Sequence, residues 1–265
     1  MGTGRLPARL GTRTLALPAG NASATRTRCG TVSFSQPQEY IVKKPMTIVA
    51  IATLAVASPL FAQDGNMSFF ITSTGPGDGA NLGGLMGADQ HCRDLAYAKG
   101  FGDLTWRAYL STVSMGGEAA VNARDRIGNG PWYNYAGDLI ARDIADLHSE
   151  SANLTKESIL TENGEVVNGR GDSPNMHDIL TGSSIDGTVS LAEGHDACAN
   201  WTSNSEGSAA VGHHDRQGGG QNPTSWNSAH SSRGCGQEDL QGTGGNGFYY
   251  CFATDANEQE ALHEG

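Results

Sequence analysis

Long hydrophobic runs are missing from this 265-residue chain. The longest, Thr47–Ala57, falls short of the roughly 20 residues a membrane-spanning helix needs. Positive charge is scarce beyond the first 45 residues. Those hold seven Lys/Arg and one acid, Glu39, whereas residues 63–265 hold ten basic and 27 acidic residues. A body this acidic is a poor holder of nucleic acid phosphates and is ill suited to an anionic membrane surface. Cysteine is sparse too, five in all and none spaced as CxxC, which disfavours a zinc ribbon or a thioredoxin-type site. No Gly-rich loop stands in the strand–loop–helix order of a phosphate cradle.

What is present begins with "VKKPMTIVAIATLAVASPLFAQDG" from Val42. Lys43 and Lys44 form a basic start, a short apolar run follows, and small residues lead past Pro59 to a cleavage point at Ala62. This is the layout of a secretory signal peptide, so residues 42–62 are expected to direct the protein out of the cytoplasm, to the periplasm or beyond. Residues 1–41 are Arg/Thr/Ala-rich and are expected to be an extension upstream of a true start near Val42 or Met46; the alternative is a genuine basic leader. The mature body, 63–255, suffices for one domain with a real core, and the polar tail 256–265 is expected to fray. It keeps Cys92, Cys198, Cys235 and Cys251, while Cys29 falls in the leader. An even count in an exported chain reads as two disulfides, with three pairings open.

Thirty-two of the 37 glycines lie beyond the leader, a pattern of short strands and loops. "SFFITST" (68–74) predicts a first strand. "GADQHCRDLAYAKG" predicts a helix with Asp89 as N-cap and Gly100 at its end, and "TWRAYLS" predicts a strand by alternation. "VNARDRIG" and "ARDIADLHS" read as short helical turns and "GEVVNG" as a short strand. "ANWTS" (199–203), "SAAVGHH" (208–214) and "GFYYCFA" (247–253) read as late strands. Early helices and late antiparallel strands make an α+β domain.

At this point "GGLMGADQHCRDLAYAKGFGDLTWRAYLS", "VNARDRIGNGPWYNYAGDLI" and "CANWTS…SRGC…FYYCF" resemble the C-type lectin-like fold, in its endostatin variety, over residues 68–253. The resemblance implies nested disulfides, Cys92 with Cys251 and Cys198 with Cys235. In the chain-entropy picture those loops contribute about 4–5 and about 3–4 kcal/mol. Sugar-binding members hold Ca²⁺ on paired triplets. Here "QNP" (221–223) has the wrong order and "WNS" (226–228) lacks its aspartate, so the expected Ca²⁺ set is incomplete and the cofactor unknown. The N-terminal zinc histidines of the endostatin kind are absent from "QDGNMS".

Candidate ligand-binding residues come from three stretches. In "GHHDR", His213 and His214 are adjacent, so on a strand they face opposite ways and cannot easily grip one ion. His214 and Asp215, entering a loop with His230, are read as a ligand or metal contact, against the plainer reading of a solvated loop. "GNGPWYNYAG" gathers Trp132, Tyr133 and Asn134, the mixture a sugar site uses, unless Trp132 is core. "NPTSWNSAHSSRGC" supplies Trp226, Asn227, His230 and Arg233 on a loop beside a disulfide. Arg170-Gly171-Asp172 is ordinary turn chemistry, and the sequons at Asn66, Asn153 and Asn200 matter only in a eukaryotic secretory route.

The sequence reading is a secreted or periplasmic, non-catalytic binding protein. Carbohydrate is the leading ligand in the manner of a lectin, and a surface protein is the alternative. A hydrolase using His214 and Asp215 is the third reading.

Overall fold

The computed structural model describes residues 66–256, within one compact unit. The expected leader (1–41), signal segment (42–62) and all but the first residue of the tail (256–265) lie outside the described residues. Among those described, no helix is long and apolar enough to cross a membrane. The architecture is α+β with two disulfides, Cys92–Cys251 and Cys198–Cys235.

A six-stranded sheet is organised around β8 (Gly245–Ala253). Two strands pair antiparallel with its second half: β1 (Phe69–Ile71) and β2 (Trp106–Ala108). Strand β5 (Asp178–Leu180) runs parallel to its first half. Beyond β5 come β6 (Ala210–His213) and β7 (His230–Ser231), both antiparallel. A small hairpin, β3 (Trp132–Tyr133) with β4 (Leu139–Ala141), stands apart from this sheet.

Both faces of β8 are buried. Tyr249, Cys251 and Ala253 belong to one core cluster with Phe70, Trp106 and Leu180. Phe248, Tyr250 and Phe252 belong to a second with Phe69, Ile71, Trp132 and Ile179. Alternate side chains on a strand point to opposite faces, and burial on both explains why this stretch reads as an unbroken apolar run.

Helix α1 (Gly84–Tyr97) covers the first cluster, and Cys92 ties it to Cys251 on β8. Asp89 is not its N-cap, as the sequence suggested, but lies inside it and is buried. Its carboxylate accepts from Arg126 Nη2 at 2.8 and 2.9 Å, Arg107 Nη1 at 3.1 Å and the Ala108 backbone at 2.9 Å, locking helix to sheet. A short 3₁₀ turn (Ala123–Asp125) and α2 (Ile144–Leu147) match the expected helical turns. "GEVVNG" makes only an isolated bridge, Leu160 to Val166.

The larger departure is "ACANW". The sequence predicts a strand over the overlapping residues 199–203, but α3 (Ala197–Trp201) has φ between 50° and 69° at all five residues. A left-handed turn costs about 1–2 kcal/mol per non-glycine residue. Tertiary contacts offset that cost. Trp201 is fully buried and its Nε1 donates to Ser111 O at 2.8 Å, and Cys198 is bonded to Cys235. Helix α4 (Gln237–Thr243) then leads directly into β8.

Candidate metal centre

The antiparallel register of β5 and β6 sets Asp178 opposite His213, so their side chains share one face. On the next strand His230 pairs with Val211, two residues before His213 on that same face. His177, immediately before β5, stacks on His213 with ring centroids 4.3 Å apart and planes 6° from parallel. Four side chains from three neighbouring strands thus meet at one end of the sheet.

Their nitrogens converge on a single oxygen. Nε2 of His177 and of His213 each lie 3.3 Å from Asp178 Oδ1, and Nε2 of His230 lies 3.5 Å from it. The far nitrogens are all occupied by acceptors. His177 Nδ1 donates to Asp215 Oδ1 at 3.2 Å, His213 Nδ1 to Pro223 O at 2.8 Å, and His230 Nδ1 to Ser231 O at 3.0 Å. A neutral imidazole that donates through Nδ1 carries a lone pair on Nε2. Three lone pairs therefore face a carboxylate, and neither Asp178 oxygen nor His213 Nε2 has a hydrogen-bond partner.

Such an arrangement could hold a cation. His177, Asp178 and His213 form a buried set whose ligand atoms lie within 4.8 Å of one another. The Nε2–Oδ1 separations match the edge of about 3.4 Å expected for a tetrahedron of ligands about 2.1 Å from zinc. Asp215 on His177 and the Pro223 carbonyl on His213 are the outer-shell acceptors that fix tautomer and raise ligand basicity in metal sites.

Electrostatics follow the geometry. Burial pushes the Asp178 carboxyl up, but His213 and His230 beside it, when they carry the proton, and the charge of His230 and His177 pull it further down, to about 2. The Asp178 partner raises His230 above its ordinary value. Asp215 is held well below the usual carboxylate range: burial opposes this, and His177 with the Arg170 and Gln217 amides outweighs it.

Glycines close the outside of the site. Gly218 has φ 143°, and a Cβ there would come within 2.5 Å of His213 Cε1; at Gly220 it would come within 2.9 Å of His230 Cδ2. The Gly218–Gly220 run is the backbone wrapped against the imidazoles. His177, His213 and His230 line an open cleft of about 550 Å³, together with Arg170, Asn175 and Thr243.

The expected site residues do not share one pocket. His214 points to the opposite face, fully buried, with Nε2 on Asn168 O at 3.1 Å and Nδ1 without a partner; burial lowers its pKa. Its neighbour His213 faces Asp178, and Asp215 accepts from His177 Nδ1. Trp226 and Asn227 line a different cavity of about 300 Å³ with His148 and Arg216. There Asn227 Nδ2 donates to Tyr109 Oη at 2.9 Å and Ser184 O at 3.0 Å, and the Trp226 ring packs on Tyr109 and Tyr250. Trp132 is fully buried, its Nε1 on Ala253 O at 3.2 Å. Asn134 is buried and braces the β3–β4 turn through Asp138 and Ser158, and the Tyr133 amide bonds Ser68 Oγ. Only His230 reaches the cleft as a ligand-facing side chain. Arg233 pairs with Asp239 instead.

Two expectations are therefore corrected. The sequence favoured a non-catalytic, lectin-like binder of carbohydrate and no enzyme. The aromatic–amide stretches meant to carry that binding are core and turn, and the concentrated chemistry is the buried His/Asp cluster. His177 and Asp178 escaped the sequence reading altogether. The available signal was "HDILT", a carboxylate in step with Leu180 on a strand whose alternate positions are core. A second cluster, Asp196 with Cys198 and Cys235, offers no thiolate because both sulfurs form the disulfide. Asp196 instead accepts from the Cys198 and Ser208 amides.

No family model matches the chain, and no curated protein matches it either.

Proposed function

We propose that the protein is a metal-dependent hydrolase whose centre is a divalent transition metal held by His177, Asp178 and His213. The observation that carries this reading is the convergence of Nε2 atoms on Asp178 Oδ1 while every Nδ1 is committed to an acceptor. Two imidazoles and one carboxylate, open to a cleft, are the ligand set of hydrolytic zinc sites, which keep a position for water and lower its pKa to about 7. His230 stands on the cleft side of Asp178, placed to take the proton that such a water gives up. Asp215 holds His177 in the metal-binding tautomer.

The test uses the full chain loaded with zinc, with p-nitrophenyl acetate and p-nitrophenyl phosphate as probes. Turnover that chelation abolishes, zinc restores and His213→Ala eliminates supports the reading. Stoichiometric zinc without metal-dependent turnover on any ester, phosphoester or peptide probe refutes the hydrolase while leaving a structural metal site.

Two further parts of the reading rest on other observations. Export from the cytoplasm is supported by the signal-like segment 42–62 and by two disulfides, which persist in oxidising compartments. A C-type lectin-like arrangement of the endostatin variety is supported by the nesting of those disulfides and by helix α1 packed on β2 and β8.

A further inference from the structure

The cleft above the histidines contains one more charged side chain. Arg170 lines it, exposed, and its guanidinium has no hydrogen-bond or ion-pair partner among the described residues. The nearby acid of its own turn, Asp172, is already engaged by Lys156 Nζ and the Gly169 amide. Arg170 is held over the cleft by its backbone. Its amide donates to Asp215 Oδ2, the other oxygen of the carboxylate that orients His177, and the Asp172 amide closes the turn on Gly169 O at 3.1 Å. One aspartate thus positions both an imidazole of the centre and the arginine facing it.

The charge balance of this cleft is unlike that of the rest of the body. No carboxylate lines the cleft among the described residues. Beneath it, Asp178 and Asp215 supply two negative charges, which a divalent ion neutralises. Arg170 then leaves the loaded cleft positive in a strongly acidic protein. An unpaired guanidinium is a planar fork suited to carboxylate or phosphate oxygens.

We propose that Arg170 recognises an anionic oxygen group on the substrate, a carboxylate or phosphate, and places the adjoining bond beside the metal centre. This rests on the metal reading given above and adds the substrate class. Neutral esters or glycosides fill the cleft without engaging Arg170. An anionic substrate bridges the arginine and the centre.

The experiment loads the full chain with cobalt(II) and titrates inorganic phosphate and acetate separately, reading the visible absorption of the bound cobalt. Saturable changes are expected with at least one anion. For that anion, Arg170→Ala should weaken binding by about ten- to hundredfold, the loss of a charge-assisted hydrogen bond, with Arg170→Lys intermediate. Cobalt stoichiometry and the anion-free spectrum should not change in either variant. Phosphate or acetate binding unaltered by Arg170→Ala overturns the inference, as does a cobalt-loaded wild type that binds neither anion. A wild type without cobalt bands overturns the metal centre, and this inference with it.

Discussion

Asp178→Asn separates a carboxylate kept for a ligand from one kept for stability. In metal-free protein Asp178, 2 % exposed, has no hydrogen-bond partner on either oxygen, and as pH rises the His230 proton that it favours is lost. Leaving a buried acceptor unsatisfied costs about 1–3 kcal/mol, and more when it is charged. Asparagine removes the charge and supplies N–H donors to the facing imidazole nitrogens. Metal-free Asp178→Asn should therefore gain about 1–3 kcal/mol at pH 8. At about 2–4 °C per kcal/mol for a domain of this size, Tm rises by roughly 2–12 °C.

At lower pH the sign reverses. Beside protonated imidazoles Asp178 titrates at about 2 when folded, against 3.8 ordinarily, so its contribution is present from 3.8 up to the pH at which those imidazoles lose their protons, and is lost as pH falls towards 2. The His230 pKa is raised from 6.5, so its contribution is present below 6.5 and lost as pH rises through the folded value. Near pH 5 both hold, and wild type should be the more stable. Urea melts of both proteins in chelator at pH 5 and pH 8 should cross. Zinc at pH 8 should then stabilise wild type and leave Asp178→Asn unmoved. Destabilisation of metal-free Asp178→Asn at pH 8 by about 3 kcal/mol or more, as when a buried ion pair is broken, would refute the reasoning.

Other outcomes follow from the same geometry. His213→Ala should abolish zinc binding measured by calorimetry, whereas His214→Ala, one residue on but facing away, should retain it and lose only stability. Asp89→Ala should cost about 3–5 kcal/mol in urea unfolding, because it strands Arg126, a half-buried cation, beside Arg107. Zinc should dissociate as pH falls, because protons compete with the metal for its ligands, and equilibrium dialysis across pH 5–8 reads that release. Replacing both Cys198 and Cys235 by serine should lower stability by about 3–4 kcal/mol.

How much of this was legible in the sequence varies with the physical signal. Strands β1, β2 and β8 were readable because β-branched and aromatic residues cluster where both faces are buried, and the α+β class followed. The α3 turn was not, since "ACANW" has no glycine to announce positive φ and its conformation is imposed by Trp201 and the disulfide. The same limit explains Asp89: a good N-cap by type, it sits mid-helix because Arg126 and Arg107 approach from elsewhere in the chain. At the site, strand alternation put His213 and His214 on opposite faces, and the structure has them so. Which one faces inward depended on where β6 ends, and strand ends are poorly marked. His177 adjoins Asp178 in the chain, but His213 and His230 are brought to it by strand order alone, with β5 and β7 flanking β6. No spacing along the chain encodes that order, and the glycine run at 218–220 has meaning only once the imidazoles beneath it are placed.

The most direct test of the metal centre is the metal content of the purified full chain after zinc loading and desalting, set beside that of His177→Ala. One zinc per wild-type chain, absent from the variant and coordinated by histidine nitrogen in X-ray absorption, is the predicted result. Wild-type protein that retains no zinc, cobalt or other divalent transition metal above the level of His177→Ala would contradict the account.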